Sequence, residues 1–169
     1  MKQNIVLIGM MGSGKTSVGK RLSQELNMPF IDTDTLIEEE YGPIPKLFEM
    51  GEECFRDAES KIISRVSSLE GAIISTGGGA VLRDENVKAL RNNGVLVFID
   101  RPVHFIAENI DCSCRPLLKN GPEALHELME KRLPIYKACC DYHVVSDNDI
   151  SNTVLTIIEL LKNDGVIRP

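Results

Sequence analysis

Gly9-Met10-Met11-Gly12-Ser13-Gly14-Lys15-Thr16 fits the pattern G-x-x-x-x-G-K-[S/T] at every fixed position. An apolar run, Ile5 to Ile8, precedes it. A segment from about Lys15 to Leu26 follows, in which Val18, Leu22 and Leu26 recur every fourth residue, as a helix requires. The glycines leave room for backbone N–H groups to curl around an anion, at a helix N-terminus carrying partial positive charge. Gly12, Ser13, Gly14, Lys15, Thr16 and Ser17 are therefore the expected contacts of a nucleoside triphosphate. Lys15 would reach its β- and γ-phosphates, and the Thr16 hydroxyl would ligate one Mg²⁺. A glycine-rich turn before an ordinary helix is the bland alternative. The strand–loop–helix setting and the full match count against it.

Outward from this loop, short apolar runs at 4–8, 28–31, 72–75, 95–99 and 142–145 are nearly continuous and partly β-branched. Such runs read as strands buried on both faces of a parallel sheet, and helix-period segments lie between them. The expected fold is α/β: a three-layer P-loop domain with a five-stranded parallel sheet flanked by helices. Ligands of such sheets collect at the carboxyl ends of the strands, so residues just after each strand carry the functional reading.

Three such places stand out. The second run ends in Asp32-Thr33-Asp34, two carboxylates one residue apart. One can hold Mg²⁺ while the other orients an attacking hydroxyl. The competing reading makes Thr33 or Asp34 the cap of a helix starting near Leu36. The third run ends in Thr76-Gly77-Gly78-Gly79-Ala80, where consecutive glycines point to close approach of backbone and ligand. The fourth leads through Asp100-Arg101-Pro102 to a short helix, then to a polar stretch, Asp111 to Gly121, with the look of a mobile flap. Arg115 on it is either a plain loop arginine or a group that closes over phosphates. Residues 41–70 read as helical with a break near Gly42-Pro43. Within them Arg56 is open between a surface pair with Glu52 or Glu59 and a fork for a ligand carboxylate.

The 169 residues suit one domain, and the net charge of −6 lacks any basic block that would suit a nucleic acid. No apolar run reaches the length of a membrane span and no export signal is evident, so the cytoplasm is the expected compartment. The five cysteines are expected to be reduced fillers; Cys112-x-Cys114 with Cys139-Cys140 has poor spacing for zinc. His104, His126 and His143 show no triad or metal spacing and are expected to be structural.

GMMGSGKT, DTD at 32–34, GEECFR at 51–56, TGGGA at 76–80, RPLL at 115–118 and RLPIY at 132–136 occur in that order across the whole chain. The set resembles shikimate kinase, a family with the nucleoside-monophosphate-kinase type of P-loop fold, a five-stranded parallel sheet and a lid. The resemblance implies transfer of the γ-phosphate of ATP to the 3-hydroxyl of shikimate, on the route to chorismate and the aromatic amino acids. It implies that Asp34 binds the shikimate hydroxyls and orients the 3-hydroxyl, and that Asp32 stands near Mg²⁺ beside Thr16. It further implies that Arg56 and Arg132 grip the shikimate carboxylate, with Gly77, Gly78 and Gly79 as a backbone cradle. Arg115 corresponds to the lid arginine. By the same resemblance the lid spans about 109–121, the substrate-binding helical segment about 33–62, and the protein is a monomer.

The chain departs from the family at one place. Many members carry an arginine seven or eight residues before RPLL that stacks on adenine, where this chain has Ala107-Glu108-Asn109. Arg101 reads as too far upstream to replace it, and Asp111-Cys112-Ser113-Cys114 lacks the basic residues frequent in the lid. A gluconate or nucleotide kinase of the same fold is the nearest alternative, disfavoured by the two arginines, Asp34 and the triple glycine. A non-catalytic binding domain would be expected to have lost Lys15, Asp32 or Asp34.

Overall fold

The five apolar runs form one parallel sheet in the order β2-β3-β1-β4-β5, in a computed structural model that describes residues 3–111 and 115–167. The strands are β1 (Asn4–Ile8), β2 (Phe30–Asp32), β3 (Ile73–Ser75), β4 (Gly94–Asp100) and β5 (Tyr142–Val145). Ile5 lies between Ile73 and Val95 in register, which makes β1 the centre of the sheet. All five β1 residues are buried, because helices cover both faces. Side chains alternate across the pleat. Val6, Ile8, Ile74, Leu96 and Phe98 join one core, and Ile5, Leu7, Ile73, Val97 and Ile99 join the other.

The second core is closed by α1 (Lys15–Leu26) and α8 (Ile150–Asn163), which bring Val18, Leu22, Val154, Ile157 and Leu161 against the sheet. The first is closed chiefly by α4 (Glu52–Ser67) and α7 (Pro122–Cys139). Three more helices, α5 (Asp84–Asn92), α6 (Val103–Asn109) and the pair-forming α2 (Thr33–Tyr41), pack on that side with the short α3 (Ile44–Glu49). Burial on both faces holds for β1, β3 and the middle of β4. The edge strands β2 and β5 are only partly covered, since each lacks a neighbour on one side.

The segment read as helical over 41–70 is two helices, α3 and α4, and α2 begins at Thr33 rather than near Leu36. The early start has a local cause. Asp32 caps α2, its Oδ1 accepting from the backbone N–H of Asp34 and of Thr35 at 3.0 and 3.3 Å. Capping therefore falls to Asp32, not to Thr33 or Asp34, and frees the Asp34 side chain for the cleft. Cys112, Ser113 and Cys114 of the expected flap lie outside the described residues. Among the described residues no helix is long and apolar enough to cross a membrane.

Candidate active site

The sharp entry from β1 into α1 is made by Gly14, which caps the helix at φ 91°, a left-handed conformation costly for any residue with a Cβ. The loop wraps the Lys15 side chain. Its ammonium is buried and donates to the carbonyls of Gly9 at 2.8 Å and Met10 at 2.7 Å. Burial lowers the Lys15 pKa to about 8, although Asp34 and Asp32 pull the other way. The Thr16 hydroxyl, in the first turn of α1, donates to Asp32 Oδ2 at 2.9 Å. Asp32 thus caps α2 with one oxygen and meets the phosphate loop with the other.

On the β2 and β3 side of the loop, a cleft of about 500 Å³ is lined by Asp34, Arg56, Gly77 to Gly79, Arg115 and Arg132. Arg56 is only 5 % exposed, Arg132 3 % and Glu59 0 %. The surface reading of Arg56 is excluded by this burial, yet both suggested pairs exist. Arg56 donates to Glu59 Oε2 at 2.8 Å and to Glu52 Oε1 at 3.2 Å. The Glu52 pair is half exposed and contributes little. Breaking the buried Arg56–Glu59 pair would cost roughly 3–5 kcal/mol, because the remaining charge has no solvent. Glu59 is the site residue whose importance sequence reasoning missed. Its position three residues after Arg56 marks a helical neighbour, but nothing in the sequence marks it as buried.

The triple glycine does make a turn, with the Ala80 N–H donating to the Gly77 carbonyl at 3.2 Å, but close contact and not a left-handed backbone is what requires glycine there. None of Gly77, Gly78 and Gly79 is among the positive-φ residues. A Cβ on Gly79 would stand 2.4 Å from both terminal nitrogens of Arg56, and one on Gly77 2.8 and 2.9 Å from Glu59 Oε1 and Asp34 Oδ1. Only bare backbone fits between these charges.

Buried polar atoms normally find partners. Here Asp34 Oδ1, Glu59 Oε1 and Arg132 Nη1 are buried without one, and all three residues line the cleft. The cleft therefore holds acceptors and a guanidinium donor suited to a ligand with hydroxyls and an anionic group. Burial, with Asp32 and Glu59 nearby, raises the Asp34 pKa to about 6. Burial also pushes the Glu59 carboxyl upward, against the pull of Arg56. Arg115 lies close enough to bear on both Lys15 and Asp34.

The β4 and β5 side differs. Arg101 follows β4 and reaches the Gly12 carbonyl at 3.4 Å and Asn148 Oδ1, beyond β5, at 2.9 Å. Distance along the chain concealed this contact with the phosphate loop. Asn109 also lines the cleft, and its side chain donates to the Phe105 carbonyl. His143 contacts Asp100 at 2.7 Å and stacks on Phe98, a structural setting as expected. Cys54, Cys139 and Cys140 are free thiols, Cys139 being buried. Among the described residues no group of three or more His, Cys, Asp or Glu is placed to hold a metal.

A phosphate loop on the central strand, facing a buried site of two guanidiniums, carboxylates and bare glycine backbone, defines a P-loop kinase for a small acceptor. A family model described as shikimate kinase matches residues 11–162, and the chain belongs to the shikimate kinase family. The shikimate kinase of Clostridium botulinum (strain Eklund 17B / Type B) is 44 % identical over 165 residues, covering 97 % of this chain and 100 % of that one. That of Caldicellulosiruptor bescii is 48 % identical over 150 residues, 86 % of this chain and 87 % of that one. The structure of shikimate kinase from Acinetobacter baumannii in complex with shikimate superposes with a TM-score of 0.91 at 32 % identity, covering 96 % of this chain and 94 % of that one. As a member of this family the chain is an ATP-dependent kinase.

Proposed function

We propose that the chain transfers the γ-phosphate of ATP to the 3-hydroxyl of shikimate, giving shikimate 3-phosphate and ADP in aromatic amino acid biosynthesis. One observation carries the residue roles. Two buried guanidiniums and the carboxylate of Asp34 converge on the Gly77–Gly79 backbone, in the cleft that Arg115 lines, with the Lys15 charge close enough to bear on Asp34. Arg56 and Arg132 grip the acceptor carboxylate as planar forks. Gly78 and Gly79 let the acceptor approach the backbone. Asp34 accepts a hydrogen bond from the 3-hydroxyl and aims its oxygen at the γ-phosphorus.

In the transfer a bond forms from that oxygen to phosphorus, the bond to the β–γ bridging oxygen breaks, and the hydroxyl proton leaves toward Asp34. The backbone of Gly12 to Ser17 cradles the phosphates, and Lys15 exchanges its carbonyl partners for phosphate oxygens. Arg115 adds positive charge where the transferring group carries most negative charge. Positioning and electrostatics carry the step.

The donor set beside the loop suits Mg²⁺. The Thr16 hydroxyl and the Asp32 carboxylate are adjacent hard oxygen donors, and a Mg²⁺ ion takes its remaining ligands from phosphates and water. When bound, the ion neutralises charge on the β- and γ-phosphates.

Topology directs the rest of the nucleotide. The acceptor groups follow β2 and β3 on one side of β1, so in-line displacement sends the leaving ADP, and its base, toward β4 and β5. Residues of about 33–62 then form the acceptor-binding segment and about 109–121 the lid. The chain acts as a monomer in the cytoplasm. ADP release with ATP and Mg²⁺ tests this reading, with shikimate, gluconate, nucleoside monophosphates or no acceptor. Turnover with shikimate alone is expected. Turnover with another acceptor would keep the P-loop and discard the assignment of Arg56 and Arg132.

A further inference from the structure

Tyr136 lies on α7 one turn beyond Arg132, its side chain fully buried. Its ring stacks on Phe98 with centroids 5.0 Å apart, and its hydroxyl donates to the Gly78 carbonyl at 2.5 Å. Arg132 lies close enough to bear on the same hydroxyl, and its Nη1 stands beside Gly78. A carbonyl oxygen can only accept, so the phenol's single proton goes to it. The direction of this bond is therefore set. Burial pushes the phenol pKa up to about 12, which keeps this proton in place at any physiological pH.

The peptide between Gly78 and Gly79 is trans, so its carbonyl and its N–H point in opposite directions. Pinning the Gly78 carbonyl to a buried phenol turns the Gly79 N–H away from Tyr136. Glycine peptides are otherwise free to rotate, since no side chain restrains them. The neighbouring surface is equally tight: a Cβ on Gly78 would stand 3.2 Å from Arg132 Nη1 and one on Gly79 2.4 Å from Arg56.

We infer that Tyr136 is a positioning residue for the acceptor, joining the Arg132 guanidinium and the Gly78–Gly79 peptide into one preset unit. The inference rests on the shikimate-kinase reading of this cleft. Without the phenol proton, the peptide and the guanidinium would each have to be ordered by the acceptor on binding, which weakens affinity without touching the transferring group.

Tyr136→Phe keeps the ring and its stack on Phe98 and removes only the hydroxyl. The shikimate KM should rise about tenfold, with kcat and the ATP KM within about twofold of the parent. With Arg132→Ala already present, the same change should add much less, because the two residues act together. A shikimate KM unchanged by Tyr136→Phe, or full additivity with Arg132→Ala, would overturn the inference. A loss of kcat with an unchanged KM would overturn it as well. Should Tyr136→Phe not fold, the native protein supplies the test. With ¹⁵N-glycine labelling, shikimate should shift the Gly79 amide resonance more than that of surface glycines such as Gly165, and an unmoved Gly79 would refute the proposal. If the native chain neither binds nor turns over shikimate, the shikimate-kinase reading itself fails, and this inference falls with it.

Discussion

The two sides of the central strand are built to different standards. On the β2 and β3 side several groups of the cleft are braced by another: Arg56 by the buried Glu59, the Gly78 carbonyl by the buried Tyr136, Asp34 by the helix that Asp32 caps. On the β4 and β5 side the cross-links are fewer and more exposed. Arg101 ties the Gly12 carbonyl to Asn148, and His143 leans on Asp100. Physical demands account for the contrast. A small acceptor offers few handles, and its reacting oxygen must be placed within a fraction of an ångström. A nucleotide base is remote from the transferred group, and its phosphates already anchor it along a whole loop. Loss of a contact there costs affinity, not geometry.

Substitutions can break this contrast, beginning with the group common to both sides. Lys15→Ala should lower kcat by about 10³-fold or more, since it removes charge stabilisation at the transferring phosphate. Near-parental turnover in an ADP-release assay would contradict the P-loop role. Asp34→Asn should lower kcat by ~10²–10⁴-fold. Its ionised form is the one that orients the hydroxyl, and its pKa is raised to about 6. The kcat/KM of the parent should therefore fall as pH drops through about 6. Since Lys15 loses its proton near 8, kcat/KM should fall again above that pH. Persistence of the acid limb in Asp34→Asn would assign it to another group.

Smaller effects distinguish the two sides. Gly79→Ala sets a methyl against the Arg56 guanidinium and should raise the shikimate KM by ~10–100-fold, leaving the ATP KM alone. Arg132→Ala should act in the same direction. A matching rise in the ATP KM from either change would erase the division between sides. Arg101→Ala should raise the ATP KM only about three- to tenfold with the shikimate KM unchanged. Smallest of all, Asn109→Arg restores the family arginine and should tighten ATP about twofold to fivefold by stacking on the base. No change would mean that Arg101 and its neighbours already hold the nucleotide adequately.

Legibility followed the same division. The phosphate loop, Asp34 and the triple glycine could be read because each announces itself by local pattern: a spaced motif, a carboxylate at a strand end, a run of glycines directly after a strand. Arg56 stayed open between a surface pair and a carboxylate fork, and Arg132 could be named only through resemblance. Seventy-five residues separate them, and nothing local says that both guanidiniums are buried on one cleft. Glu59 was visible as a helical neighbour of Arg56 and Tyr136 as part of RLPIY, but neither showed its role. Arg101 was considered only as a substitute for the adenine arginine; its contact with the Gly12 carbonyl arises because a parallel sheet brings the ends of β1, β4 and β5 together.

The amino-acid sequence by itself determined the strand–loop–helix phosphate site, the parallel α/β alternation and the family, because these depend on short-range periodicity and fixed spacing. Tertiary structure decided which charges lose their water: that Arg56 is held by Glu59 instead of lying on the surface, that Asp32 caps a helix while meeting Thr16, and that one buried phenol holds the Gly78 carbonyl. The reason is that desolvation belongs to the packed assembly. A carboxylate or guanidinium acquires its pKa, its partner and its orientation only when elements distant in the chain close around it.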